Sequence, residues 1–208
     1  MKNIAIFISG GGSDMQSVID GVESGQINGK VVCVVANKDE IFGLERAKKH
    51  NIPTKVFAVK DFDNNFEMRD LASEQYLKPL DIDLIVLAGY LSILSPKLIE
   101  RYRGKIINIH PSLIPKHCGM GMYGLKVHEA VIADKDVATG ATVHYVDEGA
   151  DTGKIIFQSK IKVLATDTPE SLQKRVLEIE HKILPQVVAY LCKDNLTLAQ
   201  SRLLNKQK

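Results

Sequence analysis

The 208-residue chain is 45% hydrophobic and 25% charged, with a formal net charge of +2. These proportions describe a globular protein with a sizeable core, and the near-balance of charge argues against a broad surface for nucleic acid or an anionic membrane. An anionic ligand therefore needs a local site. No apolar run approaches the ~20 residues of a membrane helix. Met1-Lys2-Asn3 leads straight into a strand-like run, without the three regions of a secretory signal. Cys33, Cys118 and Cys192 are widely spaced and form no CxxC pair, so neither a disulfide framework nor a zinc site is indicated, and a reducing cytoplasm fits.

From the N-terminus, short runs rich in Val and Ile recur at 4–8, 31–36, 55–59, 84–88 and 105–109. They are mostly continuous rather than alternating, as strands buried on both faces of a parallel sheet read. Between them, Met15, Val18, Ile19 and Val22 repeat at helical spacing, and Phe66, Leu71 and Leu77 do so more loosely. Ser95-Pro96 reads as a helix start, with Ser at the cap and Pro at the first position. Five strands with helical crossovers predict an α/β doubly wound, mostly parallel sheet, with ligands beyond the carboxyl ends of the strands.

The pattern changes at 110–124, where two prolines and three glycines indicate a loop. A helix over 125–133 follows. Strands at 142–146 and 154–161 flank a polar segment, which predicts an antiparallel pair at the sheet edge. Leu172, Val176, Ile179, Ile183, Val187 and Leu191 then mark one long C-terminal helix over 171–191, with Thr168-Pro169 as its start. Residues after Lys193 are polar and are expected to fray. We read 1–193 as one domain, with 1–109 a parallel α/β half, 110–193 a closing half, and 194–208 a polar tail.

The first run ends in Ser9-Gly10-Gly11-Gly12-Ser13-Asp14 ahead of a helix. Glycines let backbone amides approach a ligand, and a helix N-terminus adds unpaired N–H groups and partial positive charge, which together suit phosphate. The segment is not a P-loop, because no Gly-Lys-Ser/Thr follows, and Met15 stands where a dinucleotide fingerprint has its third glycine. The plain alternative is a tight turn with Ser13 or Asp14 as the helix cap. A carboxylate at Asp14 counts mildly against phosphate.

The fifth run ends in Asn108-Ile109-His110-Pro111-Ser112. Alternation puts Asn108 and His110 on one face of the strand, where a neutral amide donor and a titratable one can hold an oxygen that gains negative charge. Farther on, Asp147-Glu148-Gly149-Ala150-Asp151-Thr152-Gly153 is either a solvated turn or a carboxylate delivered back toward the sheet. A carboxylate beside His110 would raise its pKa and fix its tautomer. The six histidines form no HxxxH or HExxH, so no metal site is read, and no GxSxG nucleophile elbow is present.

Asn108-Ile109-His110-Pro111-Ser112-Leu113-Ile114-Pro115-Lys116 resembles the signature of the folate-dependent formyltransferases. Stretches 8–16, Phe42-Gly43-Leu44-Glu45-Arg46-Ala47, Leu87-Ala88-Gly89-Tyr90, Ile93-Leu94-Ser95-Pro96, 140–153 and Glu180-His181 agree in the same order. The resemblance implies a Rossmann-like formyltransferase fold and transfer of a formyl group from 10-formyltetrahydrofolate to an amine. The nearest branch acts on 5-phosphoribosylglycinamide (GAR) in purine synthesis. It implies catalytic roles for Asn108, His110 and Asp151, with His110 protonated. It implies substrate binding by Gly12, Ser13, Asp14 and Glu180. Folate contacts are implied for Leu91, Ser92, Ile93, Leu94, Asn108, Asp147, Glu148, Gly149, Ala150 and Asp151, largely through the backbone, with no metal. The chain departs from the common pattern at Asp14, usually Asn, at Ser92, usually Arg, at Asn64-Asn65 and in 119–124.

Formyltetrahydrofolate hydrolase and sugar-nucleotide formyltransferase remain alternatives, as does a nucleotide-binding module without catalysis. Methionyl-tRNA formyltransferase would add a tRNA-binding domain, yet only about 15 residues follow the last predicted helix and the charge is nearly balanced. The expected partners are small molecules, with the protein a monomer or homodimer.

Overall fold

A computed structural model describes residues 1–193. In chain order the elements are β1 (Lys2–Ile8), α1 (Ser13–Glu23), β2 (Gly29–Ala36), α2 (Phe42–Lys49), β3 (Thr54–Val56), α3 (Phe66–Leu77), β4 (Leu84–Leu87), α4 (Pro96–Arg101), β5 (Ile106–His110), α5 (Leu125–Ala133), β6 (Ala138–Tyr145), β7 (Ile155–Lys162) and α6 (Pro169–Leu191). The sheet order is β3-β2-β1-β4-β5-β6-β7. The first five strands pair in parallel, and β6 and β7 are antiparallel.

The continuous apolar runs arise because the central strands have no solvent face. In β1, Ile4, Ile6 and Ile8 pack with Met15 and Val18 of α1 and with Leu172, Val176 and Ile183 of α6. Ala5 and Phe7 point the other way, onto Leu77 of α3 and Leu98 and Ile99 of α4. The chain lays β2 and β3 on one side of β1 and then returns to place β4 on the other. That reversal opens a crevice at the carboxyl ends of β1 and β4, where doubly wound sheets bind ligands.

The structure refines the sequence reading at several points. The predicted 55–59 strand is only Thr54–Val56, since β3 is an edge with three paired residues, and the chain then winds into a 3₁₀ turn over Val59–Phe62. The antiparallel pair is present, but β6 also pairs with β5, so of the two only β7 lies at an edge. Helix α3 does not bury its predicted stripe. Phe66 and Leu71 are 48% and 53% exposed, while Arg69, Asp70 and Ser73 are buried with Leu77. The reason is an ion pair: Arg69 Nε donates to Asp70 Oδ1 at 2.7 Å, and Arg69 Nη2 donates to the Ile93 carbonyl at 2.7 Å. Periodicity of apolar residues does not report such a polar anchor.

Helix α1 is capped neither by Ser13 nor by Asp14. Gly12 is the cap, at φ +71°, with no side-chain cap bond. Thr168 does cap α6, exchanging hydrogen bonds with Ser171. The predicted fraying after Lys193 lies outside the described residues.

Candidate active site

Asn108 and His110 leave β5 on one face, and the 147–153 loop brings Asp151 to both. Asn108 Nδ2 donates to Asp151 Oδ1 at 3.3 Å, and His110 Nδ1 lies 3.5 Å from Asp151 Oδ2. The Gly119 amide donates to the same Oδ2 at 3.0 Å. Asp151 has φ +58°, a left-handed backbone uncommon for a residue with a side chain. The loop is closed on itself by Asp147, whose Oδ1 accepts from the Gly149 amide at 3.2 Å and the Thr152 hydroxyl at 2.6 Å. Glu148 is tied to Arg103, which also holds Glu100.

Sequence reasoning missed His144 as a partner of this trio. Its Nε2 lies 3.4 Å from Asp151 Oδ1 and 3.2 Å from Asn108 Nδ2, and its Nδ1 donates to the Tyr145 carbonyl at 2.8 Å. The signal would have been the pairing of β6 against β5, which sets His144 opposite Asn108. His128, also buried and lining the cleft, was likewise passed over.

The electrostatics differ from the expectation for His110. Burial lowers its pKa below the ordinary 6.5, although the Asp151 charge and the hydrogen bond to the His117 carbonyl pull upward. Loss of hydration wins. Both neighbours of the ring are acceptors, since Nε2 lies 2.9 Å from the His117 carbonyl. Only the doubly protonated ring can satisfy both, so geometry and burial oppose each other. Asp151 is also pushed up by burial, but the His144 hydrogen bond, the His110 charge and the Gly119 amide outweigh this and leave it below the usual carboxylate range. Burial, with the His110 charge adding to it, holds His128 down to about 4.

These groups line a cleft of about 900 Å³. It takes residues from both halves of the chain: Ser13 and Asp14 at the start of α1, residues 91–94, residues 147–151, and Glu180 of α6. Leu91 donates its amide to the Ser9 hydroxyl at 2.8 Å, Ser92 accepts from Asn37 Nδ2 at 2.6 Å, Ile93 is held by Arg69, and Leu94 is buried. Gly12 is not among the lining residues. Its part is conformational: a Cβ there would lie 2.9 Å from the Gly43 Cα, and the Gly43 amide donates to the Gly10 carbonyl at 3.1 Å. The loop and the start of α2 thus pack backbone to backbone. Among the described residues, no group of three or more His, Cys, Asp or Glu side chains could hold a metal ion, and no helix is long and apolar enough to cross a membrane.

A partly dehydrated carboxylate, an amide donor and an imidazole thus meet at the carboxyl end of a parallel sheet, an arrangement able to hold developing negative charge and to move a proton. The chain belongs to the formyl transferase family, whose profile matches residues 2–188. It is 43% identical to phosphoribosylglycinamide formyltransferase of Haemophilus influenzae, over 99% of this chain and 97% of that protein. Among solved structures it is similar to the phosphoribosylglycinamide formyltransferase of Bacillus halodurans (TM-score 0.87, 35% identity, 95% of this chain and 98% of that one). A formyltetrahydrofolate deformylase from Pseudomonas syringae shares the fold at TM-score 0.81 and 25% identity, covering 91% of this chain and 61% of its own.

Proposed function

We propose that the chain transfers the formyl group of 10-formyltetrahydrofolate to the amine of 5-phosphoribosylglycinamide, giving formyl-GAR and tetrahydrofolate in de novo purine synthesis. The observation that carries this reading is one cleft lined at once by the α1 N-terminus, by Asn108, His110 and Asp151, and by an apolar wall that includes Leu91, Ile93 and Leu94. A phosphate, a reacting amine and a flat heterocycle each find suitable surroundings there. Cys33, Cys118 and Cys192 are in no disulfide among the described residues, which fits a reducing cytoplasm.

The substrate phosphate binds at the Gly12-Ser13-Asp14 backbone, where the first turn of α1 has no side-chain cap to compete for its amides. Glu180, buried in the cleft wall, faces the ribose of the same substrate. The 91–94 and 147–151 segments take the pterin through backbone groups. The folate, when bound, supplies an activated formyl carbon and a nitrogen leaving group.

Asn108 Nδ2 and a His110 N–H face the formyl oxygen as it gains negative charge; each such donor is typically worth roughly 10²–10³ in rate. Asp151 takes the proton released by the attacking amine, directly or through a water, and its lowered pKa keeps it ionised for that purpose. His110 or a relayed water gives the folate nitrogen a proton as its bond to the formyl carbon breaks. His110 Nε2 is engaged with the His117 carbonyl, so its donation to substrate requires that bond to be exchanged. We expect turnover without added metal.

The test is tetrahydrofolate release from 10-formyltetrahydrofolate by purified protein, with and without GAR and with a chelator present. Release that depends on GAR and yields formyl-GAR supports the reading. Release without GAR replaces it with hydrolysis, and no release in either case removes GAR as the acceptor.

A further inference from the structure

We propose that Asp14 is a specificity-determining residue that carries a proton in the substrate complex and donates it, as a hydrogen bond, to the phosphate at the α1 N-terminus. This rests on the phosphate site assigned above. The site would then take up a proton as it takes up phosphate, and would bind its substrate more weakly as the solution becomes alkaline.

Asp14 is the second residue of α1, and its side chain is only 13% exposed. Its Oδ1 is buried with no hydrogen-bond partner. Glu180 reaches the same cleft from α6 and is 7% exposed. A phosphate among these amides would therefore meet two carboxyl groups. Were both ionised, three anions would share one poorly hydrated space, with no cation hydrogen-bonded to Asp14 among the described residues. An ionised carboxylate only accepts hydrogen bonds, as does phosphate, whereas a protonated one has an O–H to donate.

The surrounding charges do not relieve this. From α6, His181 Nε2 is 3.6 Å from Asp14 Oδ1 and itself lacks a hydrogen-bond partner, while burial and the Arg46 charge lower its pKa despite Asp20. Lys174, also on α6, lines the cleft from an exposed position. From α2, Arg46 directs Nε to the Gly11 carbonyl at 3.0 Å and Nη1 to Gln16 at 3.5 Å. His50, beyond α2, is engaged by Gln16 and Glu23. On α1 itself, Asp20 accepts from Gln16. From the opposite wall, His110 and Asp151 are already engaged with each other. Burial pushes Asp14 up to about 6 before any phosphate arrives, and burial with the Asp14 charge holds Glu180 well above the usual range.

The experiment measures KM for GAR from about pH 6 to about pH 8.5 in the native protein and in Asp14→Asn, whose amide donates without titrating. Ionisation of the phosphate itself affects both proteins alike. In the native protein the KM for GAR rises relative to the variant, approaching tenfold per pH unit once the proton-bearing form is the minority. The KM for the folate and kcat show no such divergence, which a merely structural role for Asp14 would not produce. Calorimetry with inorganic phosphate in two buffers of different ionisation enthalpy reads the proton directly. The native protein takes up about one proton more than Asp14→Asn when most Asp14 is ionised beforehand. Parallel KM profiles with equal proton uptake overturn the proposal, as does failure of both proteins to bind phosphate. Proton uptake with phosphate but no turnover of GAR would retain Asp14 in this role and overturn the acceptor instead.

Discussion

Asn108 on β5 lies opposite His144 on β6, and both side chains reach the same oxygen, Oδ1 of Asp151, at 3.3 and 3.4 Å. Oδ2 is thereby left to His110 and the Gly119 amide. These contacts predict that His144 acts by positioning the carboxylate. His144→Ala is expected to lower kcat roughly tenfold, a fraction of the 10²–10⁴ associated with a complete acid–base group, with little change in the KM for GAR. Steady-state kinetics of the variant check this, and an unchanged kcat would separate His144 from the mechanism.

Asp151→Asn preserves volume but removes the charge that opposes burial of His110. The variant should fold normally and lose roughly 10²–10³ in kcat. Circular dichroism establishes the fold, and the formyl-transfer assay reads the loss. Near-normal turnover in a folded protein would take Asp151 out of the proposed chemistry.

The Arg69–Asp70 pair is fully buried and ties α3 to the 91–95 segment, since Asp70 Oδ2 also accepts the Ser95 amide at 2.5 Å. Asp70→Asn leaves an arginine charge without its counter-ion. Breaking a buried pair in this way typically costs about 3–5 kcal/mol. Urea unfolding should show that loss, and the KM for the folate should rise because residues 91–94 form one wall of the cleft. A change below about 1 kcal/mol, the scale of a surface pair, would contradict the role assigned to the ion pair.

Acid lability should trace in part to His128. Burial lowers its pKa from 6.5 to about 4, so the folded protein holds it neutral while the unfolded chain protonates it below 6.5. The unfolded state then binds more protons, and stability falls as pH drops from about 6.5 toward 4 and is flat above that window. His128→Asn removes this contribution. The difference in stability between about pH 7.5 and about pH 5 should shrink by about 1–2 kcal/mol in the variant. Urea midpoints at the two pH values decide it, and an equal acid loss in both proteins would refute it.

Packing of the glycine loop gives a further test. A Cβ on Gly43 would come within 2.5 Å of Ile8 Cδ1 and 2.8 Å of the Gly10 carbonyl oxygen. Gly43→Ala should force the loop away from α2, lowering stability by about 1–3 kcal/mol, as overpacking does, and raising the KM for GAR more than that for the folate. Equal effects on both substrates would mean that the loop does not position the phosphate.

Local chemistry by itself determined the sheet, the strand-end location of Asn108 and His110, and the glycine turn before α1. Continuous Val and Ile runs have no amphipathic choice to make, and alternation along a strand needs no partner to be read. The stripe on α3 misled because Arg69 and Asp70 satisfy one another and the Ile93 and Ser95 backbone, an arrangement with no signature in apolar spacing. Asp151 lies 43 residues beyond Asn108, and sequence left its loop open between a solvated turn and a returning carboxylate. Only the antiparallel addition of β6 to β5 turned the 147–153 loop back over the site and set His144 opposite Asn108. The direction of the His110 pKa was likewise a tertiary outcome. A nearby carboxylate can be anticipated from composition, but the burial that outweighs it exists only once the helices and loops close over the strand ends.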